Sequence, residues 1–99
     1  MAEHRASLEG RWYVRRVSGL LPPGVTKRIG VGSGWTLLLG LPVAPFRVLG
    51  AQGAPSADRV LRYRVLPIRD ELSPRADGSW EGRGLLLGLE FCRFRLEPR

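Results

Sequence analysis

The chain holds one cysteine and one histidine, the two side chains on which metal sites and nucleophilic enzymes most depend. A lone Cys92 can form no intrachain disulfide, and single copies of Cys and His cannot assemble a zinc-type ligand cluster. His4 falls in the first few residues, outside any expected core, so a Ser-His or Cys-His pair for covalent catalysis is not expected. No catalytic residues, metal or cofactor follow from this inventory. Long apolar runs are also missing. The longest, from Trp35 to Phe46, is broken by glycine and prolines and is too short to cross a bilayer as a helix. The opening MAEHRASLEG has no apolar h-region of the secretory kind. The expectation is a soluble, cytoplasmic protein with no membrane span. Lysine is nearly absent too: Lys27 is the only one among 16 basic residues.

Glycine and proline, by contrast, are plentiful, at 13 and 8 in 99 residues, and they fall between short apolar runs. Nothing sustains a helical period. That spacing favours short strands and turns in one domain, residues 1–99. Strands are expected over 11–17, 25–31, 35–41, 46–51, 59–68, 80–87 and 89–96. Residues 1–9 are expected to form a loose helical turn, 69–79 a polar loop ending in the turn dipeptide Asp77-Gly78, and no internal repeat is evident. In RVLRYRVLPI, Leu61, Tyr63 and Val65 share one face and Arg62 and Arg64 the other, the period of two of a half-buried strand. Gly82, Gly84 and Gly88 also share a face, marking tight coiling or a side chain lying across the sheet. A meander this rich in strand best removes its edges by closing. The fold expected is all-β: a small antiparallel up-and-down β-barrel of about seven or eight short strands.

Gly10-Arg11-Trp12-Tyr13 resembles the Gly-x-Trp-Tyr opening of lipocalins. Leu66-Pro67-Ile68-Arg69-Asp70 and Trp80-Glu81-Gly82-Arg83-Gly84 are similar to elements of small uncharacterised lipocalin-like domains. The resemblance implies that Trp12 closes one end of the barrel and that Arg93 or Arg95 of the last strand packs over it. The chain departs from the pattern at Val14, where a final glycine would stand, and it is shorter than typical lipocalins. A short barrel can be filled by its own side chains and hold no cavity.

The remaining motifs carry little chemistry. Gly30-Val31-Gly32-Ser33-Gly34 reads as a hairpin turn, since a phosphate loop would open a helix. Cys92 alternates with Phe94 and Leu96, as a small buried hydrophobe would. Asp70 and Glu71, as neighbours, would point to opposite faces of a strand, and in a solvated loop they would cap a turn. The pairs Arg62/Arg64 and Arg93/Arg95 point outward if their apolar neighbours take the core. The function expected is non-catalytic binding of a small hydrophobic or amphipathic, optionally anionic, ligand, with Trp12, Tyr63, Arg93, Phe94 and Arg95 as ligand-binding residues. A net charge of +7 keeps open a nucleic-acid-binding barrel of the OB type as a secondary reading. Leu37, Leu39, Leu85 and Leu87, too many leucines for a small barrel to hide, keep open a dimerising structural module.

Overall fold

The computed structural model describes residues 7–50 and 58–99. Eight strands follow one another: β1 Gly10–Gly19, β2 Val25–Ile29, β3 Ser33–Leu38, β4 Leu41–Gly50, β5 Arg59–Tyr63, β6 Ile68–Pro74, β7 Trp80–Leu86 and β8 Leu89–Pro98. Each pairs antiparallel with the next, and β8 returns to β1, so the sheet closes into an up-and-down barrel with no free edge. Closure satisfies every ladder that an open meander would leave exposed.

Alternation along each strand sorts the side chains. Trp12, Lys27, Phe46, Leu61, Leu72, Trp80, Phe94 and Leu96 are buried inside, whereas Arg11, Arg28, Arg47 and Arg62 are exposed outside. One end of the barrel is plugged. Trp12 packs there in the core with Leu8, and its indole Nε1–H donates to the Leu8 carbonyl at 2.8 Å. Trp80, Leu61, Leu72 and Leu96 complete the plug. Gly82 and Gly84 face inward because the interior has no room for more. A Cβ at Gly82 would stand 2.5 Å from the Phe94 ring and 2.6 Å from Leu72, and one at Gly84 would stand 2.8 Å from Cys92 Sγ. Gly88 has a different role, with φ +83 in a turn.

Four expectations need correction. Residues 68–74 form β6 and not a polar loop, because Asp70 turns into the barrel while Glu71 lies outside between Arg69 and Arg83. The polarity that suggests a loop is internal pairing. The segment 59–68 is not one strand: β5 stops at Tyr63, and Val65 is exposed in the turn that follows. The segment 35–41 likewise contains a turn, at Leu39-Gly40, between β3 and β4. Residues 7–9 form no helical turn, and 1–6, including His4, lie outside the described residues.

A five-residue string does recur, as Leu37–Leu41 and Leu85–Leu89, both LLLGL. Each builds a two-residue hairpin loop, flanked by the pairs Leu38↔Leu41 and Leu86↔Leu89. Leu39 and Leu87 have φ 52, and the glycines after them have φ 83. Positive φ at both loop positions is the type I′ arrangement, which ordinarily takes Asn-Gly or Asp-Gly. Leucine in this region costs about 1–2 kcal/mol. This is why 35–41 reads as continuous strand in the sequence, whereas Gly88 marks the break in the second copy.

Candidate functional site

The barrel interior is polar at one level only. Lys27 on β2 and Asp70 on β6 face each other across it, with Nζ 3.2 Å from Oδ2, and their side chains are 3% and 6% exposed. Tyr63 from the end of β5 and Thr36 from β3 complete the group. Lys27 Nζ donates to Thr36 Oγ1 at 2.7 Å and to Tyr63 OH at 2.5 Å. The Tyr63 hydroxyl donates to Asp70 Oδ2 at 3.1 Å. The Thr36 hydroxyl, 2.7 Å from Tyr63 OH, is then left to donate to it. An ammonium has three N–H donors, and here three oxygens meet them. The rings of Phe46, Tyr63 and Phe94 surround the same nitrogen at 5.3, 5.2 and 5.9 Å from their centroids.

Burial, the largest single influence, would depress the Lys27 ammonium, but Asp70 and Tyr63 together, by charge and hydrogen bonds, outweigh it and hold the ammonium above its ordinary value. Burial pushes the Tyr63 phenol up, opposed by Lys27. The group therefore holds an ammonium beside a carboxylate, with no net charge. Buried ions need this degree of pairing, since the desolvation cost is otherwise several kcal/mol in order of magnitude.

Above this floor lies a cavity of about 190 Å³. Its walls are Val14, Val25, Leu38, Ala44, Ile68 and Phe91, and Lys27, Thr36, Tyr63, Asp70 and Phe94 form its base. Phe91 reaches it because the ladder between β7 and β8 shifts register there: Gly84 pairs with Cys92 but Leu85 with Glu90, leaving Phe91 as the bulged residue. Cys92, buried, also lines the cavity, and burial pushes its thiol up. Val43 and Leu66 stand at the rim, both exposed.

Of the residues singled out in the sequence, Tyr63 and Phe94 meet at this cavity. Trp12 is at the plugged end. Arg93 and Arg95 point outward from β8, where Arg93 donates to Glu90 at 3.0 Å, and the Arg95 Nε finds no acceptor among the described residues. No described arginine packs over Trp12 in a cation–π contact; Arg99 stacks on Tyr13 instead. Asp70 and Glu71 are separated by the barrel wall. Lys27 and Thr36 are not marked by any motif; the one available signal is a solitary lysine between Val25 and Ile29, on the face that should be apolar.

The outer surface is basic on β4, β5 and β6, where Arg47, Arg62 and Arg69 stand directly opposite one another across the ladders. Arg62 and Arg69 border a groove of about 870 Å³ that also includes Arg64, Val60 and Leu87. It is larger than the cavity above Lys27 and shares Tyr63, Leu66 and Ile68 with it, but it is lined by charged side chains where the cavity is mainly apolar. Among the described residues there is no cluster of His, Cys, Asp and Glu suited to a metal, and no helix long and apolar enough to cross a membrane.

Comparison with protein-family models, curated proteins and solved structures finds no match. What can be said of kinship is therefore architectural: the chain is a closed eight-stranded antiparallel barrel, compatible with a lipocalin-like one.

Proposed function

We propose that the barrel binds one small, mainly apolar molecule in the cavity above Lys27, without catalysing a reaction on it. The observation that supports this is the cavity itself: apolar walls over a polar base in which the Lys27 donors are already met. Ligand sites are typically concave, apolar and fixed by a few polar groups. An engineered apolar cavity of about 150 Å³ accepts benzene, so a volume of about 190 Å³ suits a single-ring molecule or a short branched chain. A longer amphiphile fits only by extending past Val43 and Leu66.

The charge balance selects the ligand's polar end. Lys27 has spent all three donors on Thr36, Tyr63 and Asp70, so a carboxylate arriving here would face Asp70 with no free cation to receive it. A neutral hydroxyl or amide N–H suits the base better, because no described residue donates to Asp70 Oδ1. This reading favours a neutral ligand over the anionic option that the sequence leaves open.

The test is titration with p-cresol, followed by calorimetry and by the rate at which Cys92 is alkylated. Saturable binding that slows Cys92 alkylation, and that is lost in Ala44→Phe, is expected. Absence of saturable binding, or binding that leaves Cys92 and Ala44→Phe indifferent, would overturn the reading.

A further inference from the structure

In an up-and-down barrel, the β1–β2, β3–β4, β5–β6 and β7–β8 connections all lie at the same end. Here that end is the cavity mouth, since Leu21, Pro22, Leu38, Leu66 and Phe91 belong both to the cavity lining and to these connections or their flanks. These four connections, with the strand ends that flank them, carry more than half of the exposed large apolar side chains of the described residues. Leu20, Leu39, Leu41, Val65, Leu87 and Leu89 are all 68–80% exposed, Leu39 at 80% and Leu87 at 77%. A monomer rarely gathers such side chains in one place without a partner for them.

The two hairpin tips add a second observation. Leucine occupies the positive-φ position of both tips, where asparagine would fold with less strain. Local rules broken without a local gain point to use elsewhere. The tip backbone is also closed off: the Leu39 N–H donates to the Gly24 carbonyl at 2.9 Å and the Leu87 N–H to the Pro67 carbonyl at 3.0 Å. In water these donors would need no such partners. In a low-dielectric medium an unmet N–H is costly, and each tip is tied to the neighbouring connection in the way such a medium requires.

Charge identifies the medium. From residue 10 to residue 57 the chain has no acidic side chain at all. At the mouth end, Arg16 spends one N–H on the Gly19 carbonyl, and neither it nor Arg64 has a carboxylate within ion-pair distance among the described residues. Glu90, the one acid beside these tips, is held by Arg93 and Arg83. Apolar fingers backed by arginine match a surface of acyl chains below anionic headgroups. They match a second copy of the chain less well, because separated tips around a hollow offer no continuous face, and a face-to-face pair would bring the unpaired arginines together.

We infer that the mouth end docks on an anionic lipid bilayer, with the Leu39 and Leu87 tips entering the headgroup–acyl boundary. The barrel does not span; it rests end-on, with its cavity opening toward the lipid. This inference does not depend on the cavity reading.

The experiment is flotation with vesicles of phosphatidylcholine containing phosphatidylglycerol as the minor lipid, comparing the wild type with Leu39→Asn/Leu87→Asn. Asparagine is favoured at both tips, so the variant should melt at a temperature equal to or above that of the wild type. The wild type should float with the vesicles, less so at high salt or without phosphatidylglycerol, and the variant should bind about tenfold more weakly or worse. Equal binding by the variant, or no binding by the wild type, would overturn the inference. So would a wild-type dimer in gel filtration that the double substitution converts to monomer without any vesicle binding, which would make the crown a contact between copies. Titration of the variant with p-cresol separates the two readings, since neither leucine lines the cavity.

Discussion

Lys27 and Asp70 form an ion pair inside the barrel, from strands that are not neighbours, with Nζ and Oδ2 3.2 Å apart and both side chains almost wholly removed from solvent. The pair is joined to Tyr63 and Thr36 and sits over three aromatic rings. It divides the interior into a plugged apolar half and an open apolar half. Much of the protein's behaviour should follow from keeping it whole.

Removing one partner should therefore cost far more than removing both. Lys27→Met leaves Asp70 as an unpaired buried acid, and a loss of about 3–5 kcal/mol is expected. Lys27→Met/Asp70→Leu should recover most of that loss, since Tyr63 and Thr36 keep their bond to each other. Chemical denaturation of the three proteins measures both steps. A double variant as unstable as the single one would show that the pair stabilises beyond its own neutralisation.

Alkali should weaken the fold. The Lys27 ammonium is held above its ordinary value by Asp70 against the effect of burial, and burial raises the Tyr63 phenol. Each group keeps its proton more tightly folded than unfolded, so the stability it adds is complete below the unfolded values of about 10 and is lost as pH rises through the folded ones. Denaturation midpoints should hold steady near about pH 8 and fall by about pH 11. The drop should be smaller in Lys27→Met/Asp70→Leu. A midpoint flat across this range would contradict the linkage.

Gly82→Ala is a test of interior packing. Its new Cβ would stand 2.5 Å from the Phe94 ring and 2.6 Å from Leu72, and neither is a flexible chain end. Overpacking should cost about 1–3 kcal/mol. Gly88→Ala should cost something of a different origin, because no atom lies near its Cβ and only its φ of +83 resists the side chain. Thermal melts of the two, with Phe94→Leu added to each, distinguish them: the added space should rescue Gly82→Ala and leave Gly88→Ala unimproved.

The sequence by itself determined the barrel. Period-two runs such as Leu61-Arg62-Tyr63 and Cys92-Arg93-Phe94 define an inside and an outside, and Gly-rich breaks between them leave little but a meander. It also placed Tyr63 and Phe94 inward, because alternation is a local property of a strand. It could not locate the cavity base. Asp70-Glu71 looks like loop because two adjacent acids have no local reason to be buried, and the reason lies on other strands: Lys27 for one, Arg69 and Arg83 for the other. The Leu39 turn was hidden for the opposite reason, since leucine signals strand until the closed sheet forces a two-residue reversal upon it, whereas Gly88 marked the matching break after Leu87. Barrel closure decided which of these residues meet, because it brings β2 and β6 face to face across a space that no pairing along the chain describes.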